Sequence, residues 1–155
     1  MNLRFLLLIT LAGCRDDACP VEADIAPGCG ILLDGQPLRL GDALADLAQS
    51  FGEPTRLDLG ASGERFDLAG VAGFSDDADA VRSLALGEGF VGATAEGLGL
   101  GSSATEVEEA FGVATPEPLT GGWWYGSLGI GFEIDGEGEG EAVDRIHVFP
   151  AQPGW

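Results

Sequence analysis

The sequence predicts an α+β protein made of two tandem units, each one helix packed on a short antiparallel sheet. Three observations predict it. Two stretches place apolar side chains at helical spacing, and both stop at Phe-Gly, at Phe51-Gly52 and Phe111-Gly112. Each is followed by short runs in which apolar and polar residues alternate. Each set of runs is broken by an acidic turn. Apolar residues at i, i+3, i+4 and i+7 give a helix one buried face, whereas alternation gives a strand one.

The first unit covers residues 30–88. Ile31-Leu32-Leu33 is apolar, Asp34-Gly35 is a two-residue turn signal, and Leu38-Arg39-Leu40 alternates, so a hairpin opens the unit. Gly41-Asp42 leads into a helix with Asp42 as its expected N-cap. Leu44, Leu47, Ala48 and Phe51 form the apolar face of this helix. Gly52 suits the left-handed position past its end, and Pro54 prevents continuation. Strands are expected at Arg56-Leu57-Asp58-Leu59, at Arg65-Phe66-Asp67-Leu68, from Gly70 to Phe74 and from Val81 to Leu86. Ser75 to Asp79 reads as a turn.

The second unit covers residues 89–155. Leu98-Gly99-Leu100-Gly101 stands in the place of Leu38-Arg39-Leu40-Gly41. Ala104, Val107, Glu108 and Phe111 then follow as Leu44, Leu47, Ala48 and Phe51 did. Glu108 interrupts the apolar face, which rests instead on Val107, Ala110 and Phe111. Ser103 to Glu106 has the spacing of a capping box. Gly129-Ile130 and Phe132 match Gly70-Val71 and Phe74, while Val143, Ile146 and Val148 match Val81, Leu84 and Leu86. Elements recurring in one order are the mark of a tandem duplication. The single unit resembles the small lipoprotein of the outer-membrane barrel assembly machine, and the doubled arrangement resembles the β-lactamase inhibitor proteins. That resemblance spans residues 30–149 by pattern alone. It implies a binding or scaffolding module and assigns no residue a role.

Ahead of both units, Phe5 to Leu11 is mostly apolar, follows Arg4, and ends in Leu11-Ala12-Gly13-Cys14. This stretch resembles the lipobox of bacterial lipoproteins, a Leu, a small pair and then Cys. The resemblance implies a signal peptide over residues 1–13, cleavage before Cys14 and lipid on its sulfur. It implies a place in the cell envelope, with the outer membrane expected. Membrane attachment would run through the lipid, and the two or three acyl chains of such a Cys make it stable where one would not. Residues 14–29 then read as a lipidated tether, since Arg15, Asp16 and Asp17 are polar and Pro20 and Pro27 oppose helix.

With Cys14 lipidated, Cys19 and Cys29 remain, and an even remainder in an exported chain predicts a disulfide between them. The alternative, two thiols ligating a metal, is short of partners. Structural zinc needs four ligands, and His147 is the only histidine.

The formal net charge is −19. Removing the leader takes away Arg4 alone, so six cations face 26 acids and the charge becomes −20. Such a surface repels phosphates, which argues against nucleic acid as a partner.

The densest aromatic run is Trp123-Trp124-Tyr125. In a strand either Trp124 faces the core with Trp123 and Tyr125 opposite, or the reverse. These three residues are the candidates for binding a protein partner, because Trp and Tyr are favoured interface anchors. The loop from Asp135 to Glu141 carries alternating carboxylates but lacks the order of a calcium loop, and it reads as a solvated hairpin tip. His147 lies in an alternating strand and is expected to face solvent. No Gly-x-Ser-x-Gly elbow is present, so no catalytic residue is assigned. No cofactor and no metal site are expected. The predicted role is non-catalytic protein binding or scaffolding. The alternatives are an envelope enzyme using carboxylates and a calcium-stabilised binding module.

Overall fold

A computed structural model of the chain describes residues 19–60, 63–116, 122–135 and 141–152. The leader with Leu11-Ala12-Gly13-Cys14 lies outside the described residues, as do residues 136–140 of the acidic loop and Trp155.

The chain begins with a three-stranded antiparallel sheet, β1 (Ile25–Ala26), β2 (Gly30–Leu33) and β3 (Gln36–Arg39), in that order. Asp34 and Gly35 join β2 to β3 with φ of 51° and 76°. Positive φ at both central positions defines the type I′ turn, whose twist matches that of the paired strands. The core reaches back beyond the expected start at Gly30. Ile25 is fully buried, and its N–H donates to the Ala93 carbonyl at 3.0 Å. The Cys19–Cys29 disulfide is present, with the two Cα atoms 5.5 Å apart.

Helix α1 (Leu44–Phe51) buries Leu44 and Leu47 and lays Phe51 against the core. Asp42 is not its N-cap. Ala43 holds that position and offers no side-chain acceptor. Asp42 Oδ2 instead accepts from the Arg39 N–H at 2.8 Å, and the Leu44 N–H finds the Asp79 carbonyl at 2.9 Å. A carbonyl from a distant turn thus satisfies the helix start, which local spacing does not show. Helix α2 (Ala104–Phe111) carries the expected capping box. Ser103 Oγ accepts from the Glu106 N–H at 3.2 Å, and Glu106 Oε2 accepts from the Ser103 N–H at 2.7 Å. The Ser103 backbone and hydroxyl hold the Glu106 carboxyl below the usual carboxylate range. This cap is complete at neutral pH and is lost as pH falls through that lowered value.

The remaining strands are β4 (Thr55–Asp58), β5 (Glu64–Leu68), β6 (Val71–Ser75), β7 (Val81–Leu86), β8 (Thr115–Pro116), β9 (Trp123–Tyr125), β10 (Ile130–Asp135) and β11 (Ala142–Val148). They form one antiparallel sheet of eight strands in the order β4-β5-β6-β7-β11-β10-β9-β8.

This corrects the expected fold class. The described chain is mostly β, with two sheets and two helices of eight residues each, and not two helix-on-sheet units. Two physical reasons account for the difference. Separate units would leave β7 and β11 as open edges with unpaired backbone groups. Instead they pair, Leu84 with Val148 and Leu86 with Ile146, and a single sheet results. Second, a helix of this length runs only about 12 Å, too short to cover such a sheet. The small sheet helps to cover it, because Ile25, Ile31 and Leu38 join Leu44, Val107, Phe66, Phe132 and Ile146 in one buried cluster. What does recur is the docking of each helix start. Gly41 donates to the Val81 carbonyl at 2.7 Å and Val81 to the Asp42 carbonyl at 2.9 Å. Likewise Gly101 donates to Val143 and Val143 to Ser102, both at 2.8 Å.

Candidate functional site

The buried side of the large sheet is set by Phe66, Leu68, Val71, Leu84, Leu86, Ile146, Phe132 and Tyr125. Their strand neighbours point to the other side. The register brings Thr55, Asp67, Ala72, Ala85, His147, Gly131 and Trp124 into one row across that side. Leu57, Arg65, Phe74 and Ser83 form the next row. Leu57 and Phe74 remain 56% and 37% exposed, so no described element covers this part of the face. Two ion pairs lie on it, Arg65 with Asp67 at 3.2 Å and Arg145 with Glu133 at 2.9 Å.

The aromatic end of the face is built around Trp124. Its ring lies across Gly131, where an added Cβ would stand 2.8 Å from the indole. Glycine at this position is what lets the indole reach the next strand. There it stacks on His147, with centroids 5.2 Å apart and planes 29° from parallel, and it meets Phe149 at 5.1 Å. His147 is not open to solvent as expected. It is half-buried under Trp124, and its Nε2 lies 2.7 Å from Glu133 Oε1. Glu133 Oε2 accepts from Arg145 Nη1 at 2.9 Å, so one carboxylate positions both side chains. Trp124 Nε1 is shielded from solvent and has no acceptor among the described residues. An orphan donor of this kind costs the free protein roughly 1–3 kcal/mol.

Of the three aromatic candidates, only Trp124 belongs to this face. Tyr125 is 7% exposed and points into the core, with ring centroids 5.4 Å from Phe111. Its hydroxyl donates to the Gly112 carbonyl at 2.8 Å. Trp123 shares that side and packs against the core. Strand alternation divides the run, and burial of the larger apolar set decides which side turns inward. Phe74, Leu57 and Phe149 take the places on the open face that Trp123 and Tyr125 do not. The sequence signal for Phe74 is the alternation around Phe66 and Leu68, which becomes readable once the paired strands are known.

Tyr125 also yields a stability prediction. Burial, and secondarily the Glu108 charge, push its phenol above the ordinary value. The neutral form is therefore favoured on folding, so the contribution is complete below about pH 10, the unfolded value, and is lost as pH rises through the folded one. Tyr125→Phe should cost about 1 kcal/mol at neutral pH through the lost hydrogen bond. Denaturation from pH 7 to 11 should then show the variant losing less stability than the wild type at the alkaline end. Parallel losses would refute the assignment.

Elsewhere, a cleft of about 370 Å³ opens between the β2–β3 hairpin, the turn at Ala69-Gly70 and the segment Glu88 to Val91. Asp34 and Glu88 are on its lining, beside Leu32, Leu33 and Phe90. Among the described residues, no three His, Cys, Asp or Glu side chains converge to hold a metal ion. Asp135 and Glu141 flank the part of the acidic loop that lies outside the described residues.

No protein-family model matches this chain, and neither the curated proteins nor the solved structures include a match to it. The functional reading therefore rests on the residues themselves.

Proposed function

We propose that this protein is a lipid-anchored lipoprotein of the bacterial cell envelope. It binds another protein, without catalysis, through the open face of its eight-stranded sheet. The single observation that carries the binding reading is the exposed pair Leu57 and Phe74, on the same sheet face as the partly buried Trp124 and beside the Arg65–Asp67 ion pair. Such a patch offers flat apolar contact, which suits a protein surface. The chain's charge of −19 works against phosphate-bearing partners. The anchor reading is supported by the apolar leader and by Leu11-Ala12-Gly13-Cys14. Among the described residues no helix is long and apolar enough to cross a membrane, so attachment in this reading runs through lipid on Cys14.

The test compares variants. Trp124→Ala, Phe74→Asp and, as a control on the exposed side of α1, Gln49→Ala are used to capture proteins from envelope extracts. A partner should lose at least about tenfold in affinity with Trp124→Ala, the effect of removing one interface anchor of ~1.4 kcal/mol or more. It should lose as much with Phe74→Asp and nothing with Gln49→Ala. If every captured protein is retained equally by all four chains, the open face is not the binding surface.

A further inference from the structure

Given the lipid at Cys14 proposed above, we infer that the Cys19–Cys29 bond shortens the membrane leash enough to fix which end of the large sheet faces the lipid.

With the bond closed, the leash runs from Cys14 to Cys19. Five peptide units reach at most about 18 Å. The far end of this leash is not loose. Cys19 is tied to Cys29, whose carbonyl accepts from the Leu40 N–H at 2.8 Å. The adjoining Gly28 donates to the Gly129 carbonyl at 3.1 Å. Gly129 immediately precedes β10, and its neighbour Leu128 is 42% exposed. The lipid therefore pulls on the sheet end where β10 begins and β11 finishes. Asp135 and Ala142 mark the opposite end of the same strands.

Magnitudes decide the orientation. A folded body of this size is about 35 Å across. To turn the Asp135 end toward the lipid, the leash would have to run the length of that body, about 35 Å. A reach of about 18 Å does not allow it. Without the bond, the first fixed point is Asp24, whose carbonyl accepts from the Leu32 N–H at 2.9 Å. That leash of ten peptide units reaches up to about 36 Å and permits the turn. Charge does not select an end in this way. Repulsion between the acidic chain and anionic headgroups is screened within about 8 Å, less than either leash. The membrane-facing surface is thus the corner of Gly28, Leu128 and Ala151, and its partner is the lipid surface.

The full chain, expressed with its leader and extracted with its lipid, is placed in nanodiscs containing a gadolinium-chelating lipid. Amide relaxation then reports distance from the headgroups with sixth-power steepness. The enhancement at Leu128 and Ala151 should exceed that at Ala142 and Val143 by tens of fold, since the two ends differ roughly twofold in distance and the sixth power of two is about 64. A flexible Gly/Ser insertion of about ten residues between Asp17 and Ala18 should flatten this gradient with the bond intact. The double variant Cys19→Ser/Cys29→Ser should flatten it too. If that variant does not fold, the insertion variant carries the test. A flat profile in the wild type, or a gradient that survives the insertion, overturns the inference while leaving the anchor in place. A chain whose mass shows no lipid and which leaves the discs overturns the anchor reading itself.

Discussion

Replacing Phe132 with alanine is expected to lower the unfolding free energy by about 3–5 kcal/mol, the usual cost of emptying a buried phenylalanine site. Phe132 is fully buried in β10, next to the β11 strand that joins the two halves of the sheet. Its ring meets Phe111 of α2 at 5.8 Å and Tyr125 at 6.2 Å, edge-on to the latter. The more telling expectation is where the loss is felt. Because the β7–β11 pairing makes one sheet over one core, the first half of the chain should be destabilised with the second. Tryptophan fluorescence follows the second half, and hydrogen exchange at Phe66, Leu68 and Val71 follows the first. Both should move together in one cooperative transition. If the amides of β5 and β6 keep wild-type protection while β10 melts, the halves are independent and the continuous sheet does not act as a unit.

Gly129→Ala should be nearly as costly, at about 3 kcal/mol or more, because strain and steric overlap act together. Gly129 has φ of +76°, in the left-handed region. A Cβ there would stand 2.3 Å from the Phe149 carbonyl oxygen and 2.6 Å from Gly28 Cα. Both obstacles are backbone, so no side chain can turn aside. Gly35→Ala is the informative comparison. Gly35 has a similar φ of +76° but nothing within 4 Å of the added Cβ. It should cost only about 1 kcal/mol, the conformational part alone. Thermal melts of the two variants separate strain from overlap. Equal losses would show that the close approach of Gly28, Gly129 and Phe149 contributes little.

Much of the local structure is legible in the residues. Asp34-Gly35 marks the turn between β2 and β3, Ser103 and Glu106 the cap of α2, and Phe51-Gly52 and Phe111-Gly112 the helix ends. The Cys19–Cys29 bond is the pairing expected if Cys14 is set aside for lipid. These features depend on residues within a few positions of one another, or on a pairing with a single candidate. The site is only partly legible. Trp124 is among the candidates, but Trp123 and Tyr125 turn to the core, and the pattern matches Phe74 with the wrong partner. It aligns Phe74 with Phe132, yet Phe132 is fully buried and Phe74 lies on the open face. The residue in the equivalent inward position is Gly73, where a Cβ would stand 2.4 Å from the Phe66 ring. Phe66 fills from the neighbouring strand the volume that Phe132 fills from its own. An offset of one residue reverses the face, because strand side chains alternate.

Local chemistry alone settles the turns, the capping box, the helix ends and the alternation that gives each strand a buried side. Long-range packing settles the rest. It pairs β7 with β11, it brings the Asp79 carbonyl rather than Asp42 to the start of α1, and it places Trp124 rather than its neighbours on the open face. The physical reason is shared. Backbone N–H and C=O groups are the same at nearly every residue, so the pairing of distant strands and the capping of a helix by a distant carbonyl leave little trace in side-chain identity. Which face of the sheet stays open follows from that pairing, because it determines where the two helices and the small sheet come to rest.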